Sequence, residues 1–415
     1  MLNKLIDCLK LCTNNKNKIW IMYENEGSDN FFEKYISKNI QTSTYCIVSK
    51  KAVYLIVNEL DSRNLDEIKK KYSKMLSDET LNLYVYDLNE TLINIISEII
   101  YINNYPEEVM FSYSTINDKS TDIISHGDYI KLTNIIKSIY KNFDKKVRFN
   151  SAEKIIYEFS SRKTNSQIER LKYVSSFTIK ILEETFSNIK IGMSEKEIAD
   201  MTAKNMILIM QQEKEKGIIK DYELAWFNCP IVLIGKNLEK GGHSLPSSKK
   251  LEKGETIYFD FGIACIFDDD EKICSDIQRM GYSLNDDEKV PPKNVMKVFD
   301  TLVYAIELGI ENFKPGVKGY KIDSIVRNAI IKEGFKDYNH ATGHPVCNEV
   351  HDIGCILSKK TSKRANLELV ENGVYTIEPR IQIKNGGSIE EMVQVTKFGG
   401  KPLCKPQTKL YLIKS

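Results

Sequence analysis

The sequence has no run approaching the roughly 20 apolar residues that a membrane-spanning helix requires. It has no excess of charge either: 59 Lys and Arg stand against 57 Asp and Glu, a net charge of +2. A balance so even gives no field of one sign to draw in nucleic acid or an anionic membrane, so neither is expected as a partner. Nine cysteines occur without a Cys-x-x-Cys pair, which excludes a secreted disulfide framework and a thiolate zinc site. Free thiols in a reducing cytoplasm are expected instead. Leu2, Leu5, Ile6 and Leu9 have helical spacing, but Asp7 and Lys10 interrupt them, giving an amphipathic helix and not an export signal. Also missing are His-Glu-x-x-His, Gly-x-Ser-x-Gly and a phosphate-cradling Gly-Lys-Ser/Thr loop.

Histidine is scarce, and its distribution is uneven. Of five in the chain, His340, His344 and His351 fall between His340 and Asp352, in His-Ala-Thr-Gly-His-Pro-Val-Cys-Asn-Glu-Val-His-Asp. Imidazole is a common metal ligand and can exchange a proton near pH 7, so this stretch is where chemistry is expected. His126 stands alone, in a region with no other cluster of ligand-type residues, and is read as structural.

At 415 residues the chain is long enough for two cores. Short β-rich runs at 18–23, 45–48, 53–57 and 81–86, separated by amphipathic stretches, predict a small α/β domain. Polar sequence at 142–151 suggests a boundary, with domains at 1–148 and 149–415. Beyond it, Ile168, Leu171, Val174, Ile181 and Leu182 predict a long helix stopped by Gly192, and Ser194 and Glu197 form a capping box that starts the next helix at Glu195. The pattern returns with a helix over 294–311, a Pro315-Gly316 stop and a helix over 322–331. Gly192 and Gly316 each precede an isoleucine by six residues, Ile198 and Ile322, which suggests two similar halves.

Each half then runs into β-rich sequence carrying acids. A hairpin turning near Asp268 would set Asp260 and Asp276 on neighbouring strands, and a second, turning through Lys384-Asn385-Gly386-Gly387, would carry Glu378 and Glu390. An acid within an apolar strand is costly to bury unless it is paired or metal-bound. Any one of these four alone reads more readily as an exposed edge residue or ion-pair partner, but four gathered without basic partners would repel one another unless cations neutralised them. Two divalent ions would do so, and carboxylates with one imidazole suit Mn, Co, Fe or Zn. Such ions polarise a carbonyl and activate water, which points to hydrolysis of an amide or ester.

In order along the chain, Asp260-Phe261-Gly262, Ser275-Asp276, the His340 to Asp352 run, Ile377-Glu378-Pro379 and Ile389-Glu390-Glu391 resemble the pita-bread metallopeptidases, most closely aminopeptidase P (Xaa-Pro aminopeptidase) and prolidase. The resemblance covers the chain from about Asn150 to its end and is general before that. It implies an α+β fold, in which a pita-bread catalytic domain of two pseudo-symmetric halves follows a smaller α/β creatinase-like domain. It implies that Asp260 binds one metal, that Asp276 and Glu390 bridge two, and that His344 and Glu378 complete the second. Glu378 would also shuttle the proton, while His243, His351 and His340 would face the substrate. The expected activity is a dinuclear, manganese-dependent cleavage between an N-terminal residue and a following proline, by a cytoplasmic homodimer acting on peptides. The alternatives are a prolidase restricted to Xaa-Pro dipeptides and, in a different class, a metal-free binding or scaffold protein on the same fold.

The sequence departs from that family pattern at Pro345 and Cys347, at Arg380, where glycine is common, and at Ser388, where an arginine that holds substrate is common. An extra Asp-Asp-Asp-Glu-Lys at the first hairpin tip lengthens the interval from Asp260 to Asp276. These changes bear on proline specificity and leave the ligand set whole.

Overall fold

In the computed structural model the described residues are 2–25, 31, 35, 36, 42–240 and 244–414. The chain divides into two compact units, 1–159 and 160–415.

The first unit begins with the amphipathic helix α1 (Leu2–Thr13), which buries Leu2, Leu5, Ile6 and Leu9. A six-stranded sheet follows, in the order β4 (Leu81–Tyr86), β3 (Val53–Asn58), β2 (Thr44–Val48), β1 (Lys18–Glu24), β5 (Glu108–Phe111), β6 (Arg148–Ser151). Its centre is antiparallel, β1 with β2 and β2 with β3, and its flanks are parallel. Parallel neighbours need crossovers, and helices supply them: α2 (Leu65–Lys71) and α3 (Ser73–Ser77) lead from β3 to β4, α4 (Asn89–Ile102) from β4 to β5, and α5 (His126–Asn142) from β5 to β6. Ile19, Ile47, Ile96, Ile99, Val109 and Ile136 meet in its core. His126 sits in the first turn of α5 and is exposed, and among the described residues it belongs to no group of ligand-type side chains. Helix α6 (Glu153–Ser161) contains the division between the units, which therefore falls about two turns of helix beyond the polar stretch at 142–151.

The second unit contains two copies of one local plan. Helices α7 (Asn165–Asn188) and α8 (Glu195–Glu215) are joined at Gly192, while α9 (Lys293–Glu311) and α10 (Gly319–Lys332) are joined at Gly316. Both α7 and α8 open on complete capping boxes, Thr164 with Gln167 and Ser194 with Glu197. Gly192 and Gly316 have φ of +89° and +83°, left-handed values that a side chain would strain, although a Cβ at either would meet nothing. The amide of Gly192 donates to Leu251 O at 2.8 Å, and that of Gly316 donates to Leu369 O at 2.9 Å. After Leu251 the chain enters β9 (Thr256–Phe261), and after Leu369 it enters β13 (Val374–Ile377). The internal repeat suggested by the two glycines is thus present in the backbone hydrogen bonding.

Short strands complete each half. In the first, β8 (Ile231–Ile234), β9, β12 (Ile277–Ser283) and β18 (Tyr411–Ile413) form one sheet, and β7 (Asp221–Leu224), β10 (Ile263–Ile266) and β11 (Lys272–Cys274) form another. In the second, β13 lies beside β16 (Glu391–Thr396) and β17 (Gly399–Pro402), while β14 (Arg380–Ile381) pairs with β15 (Gly387–Ser388). Each half has its own core, one built on α7, α8 and β9 and the other on α9, α10, β13 and β16. Of the extra residues, Asp268–Asp270 form an exposed tip, while Glu271 is partly buried and accepts from Gln167 and Arg170.

Candidate active site

The two hairpins that carry the acids meet at Gln278. On β9, buried at all six positions, Asp260 is in register with Gln278 of β12, and Asp276 immediately precedes β12. Glu390 forms an isolated bridge with Gln278 and donates its N–H to Gln278 O at 3.2 Å. Glu378 follows β13 and donates its N–H to Thr342 O at 2.7 Å, and the Thr376 N–H reaches His344 O at 2.8 Å. Asp260, Asp276, Glu378, Glu390 and His344 are therefore brought together from five separate stretches.

The approaches are short. His344 Nε2 is 3.5 Å from Asp276 Oδ2 and 3.6 Å from Glu378 Oε1. One atom each from Asp276, His344 and Glu390 lie within 4.8 Å of one another. Burial pushes every carboxyl upward, and repulsion between them adds to it at Asp260, Glu378 and Glu390. Asp276 rises to about 7 through desolvation, and Glu378 to about 8 through desolvation, with His344 opposing and Asp276 and Asp260 adding. Asp260 and Glu390 are raised well above the ordinary range, first by burial and then by the charge of Asp276.

The oxygens that repel one another also lack donors. Asp260 Oδ1, Asp276 Oδ1 and both carboxylate oxygens of Glu390 are buried with no hydrogen-bond partner. Orphaned buried acceptors of this kind carry a large desolvation cost, and a divalent cation would remove it. Oxygen donors with one imidazole make a hard-to-borderline set. The residues present fit a divalent metal.

Neighbours hold the acids in place. Tyr258, two residues before Asp260 on the same strand face, donates its hydroxyl to Asp260 Oδ2 at 3.2 Å. Gln278 Nε2 donates to Glu378 Oε2 at 3.0 Å. Arg279, fully buried, donates from Nη1 to the carbonyls of Gln278 and Glu390, both at 2.9 Å, and from Nη2 to Glu391 at 3.1 Å. The sequence reading passed over Gln278 and Arg279, whose partners lie about a hundred residues away. The period-2 alternation of β9 already set Tyr258 beside Asp260.

The remaining histidines fare differently. The exposed His351 packs its ring edge-on against that of His344, with centroids 4.2 Å apart. The ring of His340 lies 4.9 Å from that of Tyr338, with its Nδ1 2.7 Å from Ala341 O. His243 lies outside the described residues. Pro345 bridges to Tyr375 of β13, Cys347 is buried, and Ser388 donates its hydroxyl to Pro379 O at 2.8 Å.

A sequence model described as metallopeptidase family M24 matches residues 169–397. A Bacillus subtilis relative carrying a provisional dipeptidase name (YkvY) is 31% identical over 273 residues, 64% of this chain and 66% of that protein. A Pyrococcus horikoshii protein named Xaa-Pro dipeptidase is 27% identical over 265 residues, covering 63% and 68%. The chain thus spans about two thirds of the length of these curated relatives. Among solved structures, an X-Pro aminopeptidase from Thermotoga maritima aligns over 95% of this chain and 97% of its own, with TM-score 0.62 and 20% identity. A Xaa-Pro dipeptidase from Bacillus anthracis aligns over 100% of both, with TM-score 0.63 and 20% identity. At these identities the structures establish the fold, an N-terminal domain followed by a pita-bread domain.

Proposed function

Since the chain belongs to metallopeptidase family M24, we propose that it is a dinuclear metal-dependent aminopeptidase that hydrolyses the bond between an N-terminal residue and a following proline. The observation that carries the reading is the cluster of buried carboxylate oxygens without donors around His344. In it, Asp260, Asp276, His344, Glu378 and Glu390 would hold the two ions. When bound, two divalent ions would polarise the scissile carbonyl and activate a water for attack.

The chain's own groups do the rest. Glu378 would take a proton from the attacking water and return it to the leaving nitrogen. Gln278 Nε2 holds its Oε2 and so fixes the orientation of the carboxyl. His351, packed on His344, together with His243 and His340, faces the substrate and stabilises charge on the scissile carbonyl. Manganese as the resident ion, a homodimeric assembly, a cytoplasmic location supported by the free thiols, and a creatinase-like domain over 1–148 complete the reading. No helix among the described residues is long and apolar enough to cross a membrane.

The test is hydrolysis of Ala-Pro and Ala-Pro-Ala by the purified, manganese-supplemented protein. Release of alanine that stops on chelation and falls about 100-fold or more in Glu378→Gln is expected. No release from either peptide would overturn the reading and favour a binding protein on the same fold. The other enzymatic reading, a prolidase restricted to dipeptides, would release alanine from Ala-Pro alone.

A further inference from the structure

Gln278 is an uncharged side chain set among the four carboxylates. Residues directly opposite in an antiparallel pair put their side chains on the same face. Gln278 is opposite Asp260 of β9 on one side and, through the isolated bridge, opposite Glu390 on the other. Asp276 comes two residues earlier, the spacing that returns a strand to that face. The fourth acid, Glu378, accepts from Gln278 Nε2 at 3.0 Å, which places the amide head, and Oε1 with it, within the cluster.

The amide oxygen has nothing to accept from. Gln278 is 4% exposed, and its Oε1 is buried with no hydrogen-bond partner among the described residues. It joins the orphaned oxygens of Asp260, Asp276 and Glu390. A carboxyl oxygen can satisfy itself by taking up a proton, whereas an amide oxygen can only accept. Turning the amide over would set Oε1 against the Glu378 oxygen, acceptor against acceptor, and lose the one bond the side chain makes. The nearby guanidinium does not serve either. Arg380, buried two residues after Glu378, lies over the ring of Tyr258, 5.0 Å from the guanidinium carbon to the ring centroid, and its Nε and Nη2 have no hydrogen-bond partner. A buried acceptor left unpaired among carboxylates carries a desolvation cost that a cation would remove. Amide oxygens are hard donors, of the kind that Mg²⁺, Ca²⁺ and Mn²⁺ take.

We propose that Gln278 is a further protein ligand of the dinuclear centre, giving its Oε1 to one of the two ions and biasing the site towards a hard ion such as Mn²⁺ over Zn²⁺. This rests on the proposed dinuclear peptidase and extends its ligand set beyond Asp260, Asp276, His344, Glu378 and Glu390.

The experiment titrates the metal-free protein with Mn²⁺ and, separately, with Zn²⁺ by calorimetry, beside Gln278→Met and Gln278→Glu. Methionine keeps the length of the side chain and removes both the oxygen and the N–H. Mn²⁺ affinity should fall about tenfold or more, at least as far as when support around a ligand is removed. Zn²⁺ affinity should fall less, because a softer ion depends less on a hard oxygen. Glutamate separates the two roles of the amide, since it keeps an oxygen in place and removes the N–H that Glu378 accepts. If Oε1 is a ligand, Gln278→Glu binds Mn²⁺ more tightly than Gln278→Met does. If the side chain serves only to hold Glu378, Gln278→Glu binds no more tightly than Gln278→Met, because two carboxylates then face each other. A methionine variant with the Mn²⁺ affinity of wild type, or a glutamate variant no tighter than the methionine one, overturns the proposal and leaves the dinuclear reading intact. Should the methionine variant not fold, Gln278→Glu decides against wild type: Mn²⁺ affinity at or above the wild type's supports the ligand, and a loss overturns it. A wild type that binds no divalent ion overturns the dinuclear reading and the proposal with it.

Discussion

Replacing Lys163 by methionine should destabilise the second unit by about 3–5 kcal/mol, because it leaves a buried charge without its partner. The Lys163 and Asp352 side chains are 2% and 1% exposed, and Nζ lies 2.9 Å from Oδ2. Lys163 Nζ also donates to Ser160 O at 2.5 Å. The far oxygen of Asp352 accepts the Ile353 N–H at 2.8 Å, and the Asp352 N–H donates to Pro345 O at 2.9 Å, so the pair ties the stretch between His344 and His351 to the residues just before α7. Methionine keeps the apolar stem of lysine and removes the cation, which isolates the electrostatic effect. For a unit of this size the loss corresponds to a drop in melting temperature of roughly 6–20 °C, readable by circular dichroism. Burial by itself pulls the Lys163 ammonium down, but Asp352 outweighs it and the pKa is raised. The stabilisation is therefore complete below the ordinary lysine value of 10.5 and is lost only as pH climbs through the raised value. The deficit of the variant should be the same at pH 6 and pH 8. Lys163→Met/Asp352→Asn, which removes both charges and keeps an acceptor for Ile353, should recover more than half of it. A single variant within about 1 kcal/mol of wild type, or a double variant as unstable as the single, would refute the reasoning.

Three further outcomes follow from the site. With the metal chelated, the raised carboxyls favour folding only while protonated: Asp276 titrates at about 7 and Glu378 at about 8, so stability should fall as pH rises from 5 to 8, and added Mn²⁺ should reverse the trend. A melting temperature of the chelated protein that climbs over this range would contradict it. Gly343→Ala would place a Cβ 2.0 Å from Thr376 O, forcing the His344 backbone off β13. Metal affinity by calorimetric titration should fall about 10–100-fold, as it does when support around a ligand is removed. Arg279→Lys keeps a charge for Glu391 but cannot hold the Gln278 and Glu390 carbonyls together, and a loss of metal affinity of about tenfold is expected with the fold retained.

What could be read from sequence was what local patterning controls. Strands β3 and β4 appear as apolar runs because they are built of consecutive β-formers, and α8 begins where Ser194 and Glu197 cap it, because a capping box acts within one turn. The metallopeptidase family was legible too, since each acid sits in a short motif that keeps its order along the chain. The alternation from Thr256 to Ile263 predicts one unbroken strand of the hairpin near Asp268, but the strand breaks at Gly262. A Cβ there would lie 2.1 Å from Ser275 O, so the chains cross too closely for one ladder, and β9 and β10 join different sheets. Lys163 with Asp352, Gln278 with Glu378 and Arg380 against Tyr258 were not legible, because each pairing joins stretches a hundred or more residues apart. Nothing in the local sequence of Arg380 shows that its guanidinium is buried without an acid.

The central claim is that Asp260, Asp276, His344, Glu378 and Glu390 hold divalent metal. Elemental analysis of the purified protein beside its Glu390→Ala variant tests it most directly. Two ions per chain in the wild type and fewer than one in the variant are predicted; no divalent metal in the wild type, or equal content in both, would contradict the account.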